Sequence, residues 1–302
     1  CRHKVTSSQS VWWPCDPVVG LIASFSLIQL RTCTSADTPR LVRALNECLY
    51  QGYRFKVVMT PERFTEDSRI HDVDLGATFL ALQGETPVGI TLVARREDHA
   101  WIAGMGVHPS YRGQGLGTEL LRRAQDRLRA LGVRQIELEV LVENDVARRC
   151  YSNAGFVAHR RFYCFRGTAT RIPWGRSASR VVKASPAQVL ASYSEMHKAK
   201  ACWQRNLETL IHRAPHLQGL IATQKRKTIG ALLYSENAVS DVGWIADSVP
   251  LDRPLHEMLL AAFGPSRPFA IVNVPNDDPL SQVMHDSGFE VYAEQLDMRC
   301  DL

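Results

Sequence analysis

The sequence predicts an α/β protein built on a mixed sheet, with one plan laid down twice along the chain. Three observations predict it. Short runs of strand period alternate with longer amphipathic runs of helical period. Two of the strands are joined by a tight turn, whereas the next pair brackets a loop and a helix. The order of these pieces then recurs in the second half of the 302 residues. The divisions expected are an extension over 1–26, a first domain over 27–166, a linker over 167–180 and a second domain over 181–302.

"SLIQLRTC" (Ser26 to Cys33) reads as a strand, and Ser35-Ala36-Asp37 then opens a helix through Leu41, Ala44 and Leu45 to Leu49. Pro61 in "MTPERF" stands where a helix starts. "ATFLALQ" and "PVGITLVARR" are two strands, and Gly84-Glu85 between them suits a hairpin turn. "AWIAGMGV" is the next strand, followed by the loop "HPSYRGQGLG". From Thr118 to Leu131 an apolar stripe of Leu120, Leu121, Ala124, Leu128 and Leu131 marks a helix that Gly132 closes. "RQIELEVLV" puts Ile136, Leu138 and Val140 on one side and Glu137 and Glu139 on the other. Asn144 caps a helix whose stripe is Ala147, Cys150, Tyr151 and Ala154, and "GFV" returns to a strand. Gly167 to Arg180, rich in Gly, Ser, Thr, Pro and Arg, reads as a connection. Beyond it "TIGALLY" echoes "PVGITLV", "GWIADSVP" echoes "AWIAGMGVHP", "LHEMLLAAF" echoes the helix after the loop, and "DSGFEVY" echoes "NAGFVAH".

Apolar residues at 45% and charged residues at 22% are ordinary for a globular chain. The net charge of +5 is spread rather than blocked, so no dedicated nucleic-acid surface is expected. The pairs Arg122-Arg123, Arg148-Arg149 and Arg160-Arg161 read as solvated faces. Eight cysteines carry no C-x-x-C pair and no zinc-finger spacing, which suits the reducing cytoplasm and no metal. Val18 to Leu30, broken by Gly20, Ser24 and Ser26, is too short to cross a bilayer. It also lacks a cleavage-site pattern, so neither a membrane partner nor a secretory signal is expected. Because the chain begins at Cys1, whether residues 1–26 belong to the native protein stays open.

The loop carries the chemistry. Unpaired N–H groups at a helix N-terminus seat phosphate oxygens, and glycines let the backbone approach them. A nucleotide P-loop needs Lys and Ser or Thr after the last glycine, whereas Gly117 is followed by Thr118 and Glu119. A dinucleotide fingerprint needs G-x-G-x-x-G, whereas Gly113, Gly115 and Gly117 give G-x-G-x-G; Glu137 at ribose distance keeps that reading as a weak competitor. What remains is Arg-x-x-Gly-x-Gly (Arg112, Gly115, Gly117), with strand, loop, helix, strand, Asn-capped helix and Gly-Phe in order.

That pattern resembles the GCN5-related N-acetyltransferase (GNAT) superfamily, over Leu27 to about Phe165 and most strongly from Trp101 to Val157. The resemblance implies two GNAT-like acyl-CoA N-acyltransferase domains in tandem, with acetyl-CoA as the ligand. It places the pyrophosphate on the loop Arg112, Gly113, Gln114, Gly115, Leu116, Gly117 and Thr118. It places the pantetheine arm and thioester carbonyl along Met105, Gly106 and Val107, and Asn144 against the arm. An N–H preset at the carbonyl, that of Val107, then lowers the barrier as negative charge develops.

An ammonium acceptor must lose a proton, and the departing thiolate gains from receiving one. Tyr151, seven residues after Asn144, matches the tyrosine that many family members aim at the coenzyme sulfur. Glu139, five residues before Asn144, matches the base of the ribosomal-protein N-terminal type, with Glu137 and Glu143 as substitutes. As a plain strand glutamate it would meet only solvent or an arginine. In the second copy "LDRPLHE" replaces "YRGQGLG", Pro254 removes a donor, and Met284 aligns with Tyr151. The second copy is therefore expected to be degenerate, walling the acceptor cleft or supporting the first. The expected activity is acetyl transfer from acetyl-CoA to a primary amine, on a small molecule or a protein terminus, by direct attack in a ternary complex. The alternative is a noncatalytic acyl-CoA sensor. The acceptor, the acyl preference and the oligomeric state are not fixed by the sequence.

Overall fold

A computed structural model of the chain describes residues 28–52, 57–169, 179–197, 200–245 and 252–302. The extension 1–26 and most of the connection 167–180 lie outside the described residues. The fold is mixed α/β, as the sequence predicts.

In the first half the strands are β1 (Ile28–Thr32), β2 (Phe79–Gln83), β3 (Thr86–Arg96), β4 (His99–Val107), β5 (Gln135–Leu141) and β6 (Val157–Gly167). The helices used below are α1 (Thr38–Ala44), α2 (Pro61–His71), α3 (Leu116–Ala130) and α4 (Asp145–Asn153). The second half adds β7 (Arg180–Ala184), α5 (Leu207–Arg213), β8 (Gln218–Gln224), β9 (Lys227–Tyr234), β10 (Ala238–Gly243), α6 (Asp252–Phe263), β11 (Phe269–Pro275), α7 (Pro279–Asp286) and β12 (Glu290–Asp301).

The twelve strands among the described residues form one sheet in the order β1-β2-β3-β4-β5-β12-β6-β11-β10-β9-β8-β7. The halves thus trade their last strands. β12, the end of the chain, runs antiparallel to β5 from Gln295 opposite Leu141 to Asp301 opposite Gln135, and its other edge pairs with β6. β6 in turn pairs with β11 of the second half. The cores follow the same exchange. Met298 and Cys300 of β12 are buried with Leu120, Leu121, Ala124 and Leu128 of α3 in the first half's core. Phe165 of β6 is buried among Leu255, Met258, Leu259 and Phe263 of α6 in the second.

Local chemistry explains the elements near the site. The stripe read from the sequence packs α3 inward, but the helix begins at Leu116, two residues earlier than expected, because Gly115 already adopts the cap position. Gly132 closes it with φ 79°. The helix expected through Leu49 is regular only over Thr38–Ala44 and then widens into a π turn over Leu45–Leu49. That turn lays Cys48 and Leu49 against Gly106 and Gly104 of β4. Such wide turns are rare and gather at functional places.

The internal echo holds with one shift of register. In β4 Ala103 is an extra residue, since Ile102 faces Val93 and Gly104 faces Leu92. In β10 Ser240 is extra, since Val239 faces Tyr234 and Asp241 faces Leu233. The two bulges coincide when Gly89 is matched with Gly230, as in "PVGITLV" and "TIGALLY". Asp241 therefore stands in the place of Gly104 and Gly243 in that of Gly106, six positions away from the match suggested by "GWIADSVP". A shared Trp-Ile-Ala had outweighed strand register in the sequence comparison.

Candidate active site

β4 and β5 pair in parallel over only three rungs, ending at Trp101 opposite Glu137. Beyond them the bulge at Ala103 turns β4 away, and Met105, Gly106 and Val107 stay laddered to Thr91, Ile90 and Gly89 of β3. Backbone groups of that stretch directed away from β3 face the gap. At its mouth Gly117 lies among side chains of β4 and α4. A Cβ there would stand 3.6 Å from Val107 Cγ2, 3.7 Å from Met105 Cε and 4.0 Å from Cys150 Sγ.

The glycine loop borders this gap. After a tight turn over Pro109–Tyr111, Gly113 and Gly115 take left-handed φ values of 74° and 83°, and a Cβ on either would touch nothing within 4 Å. Gly115 caps α3 without any side-chain hydrogen bond. The first-turn N–H groups therefore combine missing side-chain caps, open backbone and the positive end of a fifteen-residue helix. Arg112 is exposed and donates from Nε to Val107 O at 2.9 Å, while Gln114 Nε2 donates to Ser110 O at 3.2 Å. Thr118 is exposed, its hydroxyl 3.7 Å from Cys150 Sγ. Leu116 sends its side chain into the core, so it offers a ligand only its backbone. Gly106 has a packing reason of its own: a Cβ would fall 2.5 Å from Cys48 O and 2.8 Å from Leu49 Cα.

Asn144 is exposed, and its side-chain oxygen accepts from Ala147 N at 3.1 Å, capping α4 as expected. Tyr151 is buried on the Leu138 side of the sheet, its ring 5.9 Å from that of Phe156. Alternation along β5 puts Glu139 on the opposite side of the sheet from Tyr151.

Glu139 is half-buried, and its carboxylate is bonded by an indole and an amide. Trp101 Nε1 donates to its Oε2 at 2.7 Å, and Gln204 Nε2 approaches the same oxygen at 3.4 Å. Burial pushes its carboxyl up to about 8. The Trp101 bond pulls the other way, and the carboxylates of Glu137 and Asp297 add to the rise. Asp297 faces Glu139 from β12 and is itself held by Arg160 at 3.2 Å and Arg299 at 2.9 Å. Glu137, also raised by burial, opens onto a cleft of about 1030 Å³ at the seam of the halves, beside Tyr193, Lys200 and Trp203. Glu143 is exposed, and Asp74 is taken by Arg95 at 2.8 Å.

The sequence reading missed the surroundings of Glu139. Trp101 could have been found, since it lies on the strand parallel to β5 and alternates onto the same face. Trp203 and Gln204 could not, because they belong to the other half and no local pattern ties them to β5. Among the described residues no group of three His, Cys, Asp or Glu is placed to hold a metal.

The corresponding gap in the second half is filled. β10 and β11 pair in parallel only at Ala238–Ala270 and Val239–Ile271. Arg205 bridges the strands beyond, donating to Asp241 Oδ1 at 2.9 Å and to Asn273 O at 3.4 Å, and Val242 N donates to Asp241 Oδ1 at 2.9 Å. Met284 takes the place of Tyr151. Phe289 N bonds Met284 O as Phe156 N bonds Tyr151 O, both at 3.0 Å.

The model of the acetyltransferase (GNAT) family matches residues 40–156, which include β4, the glycine loop, α3, β5 and α4. Residues 40–156 are a GNAT acetyltransferase domain. N-alpha-acetyltransferase 30 of Schizosaccharomyces pombe is 29% identical over 92 residues, a stretch of 28% of this chain and 61% of that relative. Two solved structures are similar over nearly the whole length. A GCN5-related N-acetyltransferase from Sphaerobacter thermophilus is 17% identical with a TM-score of 0.66, covering 91% of this chain and 95% of that one. A tandem GNAT protein from the clavulanic acid biosynthesis pathway is 13% identical with a TM-score of 0.67, covering 91% and 98%. At these identities the likeness is one of fold, and it extends the GNAT plan to the second half. Acyl transfer is the chemistry of this family.

Proposed function

We propose that the chain transfers acetyl from acetyl-CoA to a primary amine by direct attack in a ternary complex. The first half works, and the second supports it and walls the acceptor side. One observation carries the reading: β4 and β5 part beside a helix N-terminus whose cap is bare glycine. In this reading the amides of Arg112 to Thr118 hold the pyrophosphate, and Met105 to Val107 pair with the pantetheine arm beside Asn144. Tyr151 protonates the departing sulfur from one side of the sheet. Glu139 takes the amine's proton on the other; with a carboxyl near 8 it is ionised only toward alkaline pH, so the rate rises through that pH. The relative named as an N-alpha-acetyltransferase makes a protein N-terminus one acceptor to test, beside small amines. No helix among the described residues is long and apolar enough to cross a membrane. The six described cysteines are free, which fits a reducing cytoplasm.

The test is calorimetry with acetyl-CoA followed by thiol release over a panel of amines and peptides. Gly115→Ala is expected to cost about 1 kcal/mol of stability for its left-handed backbone and to weaken acetyl-CoA binding at least tenfold. Tyr151→Phe is expected to bind the coenzyme normally and lose about 10²-fold or more in kcat. Absence of binding would overturn the reading. Binding with no turnover on any acceptor would point to a sensor instead.

A further inference from the structure

The geometry points to the second half as a contributor to the active site of the first: Gln204, seated by Trp203, is a positioning residue that holds the carboxylate of Glu139 together with Trp101. This rests on the reading of Glu139 as the base.

The segment Trp203–Arg205 is anchored on three sides, so Gln204 has little freedom. Trp203 is 3% exposed, stacks on Trp101 with ring centres 6.1 Å apart and planes at 17°, and donates from Nε1 to His71 O at 3.0 Å. The guanidinium of Arg96 lies 4.3 Å from the centre of the Trp203 ring and bonds Asn206 and Thr209 at the start of α5. On the far side Arg205 is locked into the β10–β11 gap by Asp241. Between these anchors Gln204 presents its amide nitrogen to Glu139. Its Oε1 is buried with no hydrogen-bond partner. Once Glu139 is ionised that orientation has a cause, because turning the amide would then set its oxygen against the carboxylate. An unsatisfied buried oxygen is costly, and an acceptor's N–H arriving beside Glu139 would satisfy it.

Two donors on one oxygen favour the ionised carboxylate, so each lowers the pH at which the base becomes available. The other charged groups around Glu139 are Glu137 on its own strand, with Lys200 near it. Asp297 on β12 is covered by Arg160 and Arg299. Cys164 and Cys202 are thiols that burial pushes up. His71, beside Trp101, is held down to about 3 by burial, so it stays neutral across the working range.

The test reads the Trp101 indole N–H resonance against pH in the full chain, which needs no turnover. In the wild type it should titrate with a midpoint near 8, and Glu139→Gln should abolish that titration. Gln204→Met keeps the volume and removes the donor, so the midpoint should rise by up to about one pH unit. The acid limb of kcat/KM should move with it, lowering the rate below the limb by up to about tenfold. Gln204→Glu, which sets a further carboxyl beside the first, should raise both further. An indole midpoint that neither variant moves, or an indole that does not titrate with Glu139, would overturn the inference. A midpoint that moves as stated in a protein that acetylates nothing would leave Gln204 holding Glu139 and refute acyl transfer instead.

Discussion

Ending the chain after residue 180 is expected to leave the first half unfolded, even though it holds every residue of the proposed coenzyme site. The shortened chain loses β12, which lies between β5 and β6 and is bonded to both. The backbone groups of two strands would then be left open along their facing edges, and open edges of this kind aggregate. Met298 and Cys300 would also leave the core beside α3. Losing one buried side chain of that size costs about 2–5 kcal/mol, and losing a whole strand comes to more than the usual 5–15 kcal/mol of a domain. Deleting only 290–302 should have the same effect on β5 and the first core, although β6 then keeps its pairing with β11. Circular dichroism and hydrogen exchange on both shortened chains would check this. A cooperative melt of residues 28–180 alone, with acetyl-CoA binding retained, would show that the strand exchange is dispensable.

That dependence between halves marks the limit of what could be read from the sequence. Period-two and period-3.6 patterns placed β2 to β5, α3 and α4 within a few residues, because each buries one face locally. The glycine loop was legible for the same reason: Gly113 and Gly115 need left-handed backbone, and the helix stripe begins right after them. Asn144 capped α4 as its type and place suggested. The exchange of β6 and β12 left no trace, since a strand of alternating residues looks the same whichever neighbour it joins. Glu139 was placed on the correct face, but its environment was not. Its donors come from β4 and from residue 204, and only assembly of the two halves brings the latter within reach. The register of the echo also failed, because a bulge at Ser240 shifts β10 without changing its composition.

The second large effect is expected at the pair that closes the β10–β11 gap. Arg205 and Asp241 are each 4% exposed and bonded at 2.9 Å, with His197 Nε2 also within ion-pairing distance of Asp241 at 2.8 Å. Burial alone would raise Asp241, but His197 and Arg205 outweigh it and hold the carboxyl below the usual carboxylate range. Asp241→Leu removes the counter-charge and strands a guanidinium in the interior, a loss of about 3–5 kcal/mol. The double change Asp241→Leu with Arg205→Met removes both charges and should recover most of that loss, since well-packed apolar groups often replace a buried ion pair at little cost. Denaturant midpoints for the two single variants and the double one close the cycle. A double variant no more stable than Asp241→Leu alone would mean that the bond from Arg205 to Asn273 O, not the ion pair, secures the gap. The pair also bears on chemistry at a distance. Arg205 adjoins Gln204, so the double variant should stay folded while Gln204 loses one of its anchors, and the acid limb set by Glu139 should then rise as it does in Gln204→Met.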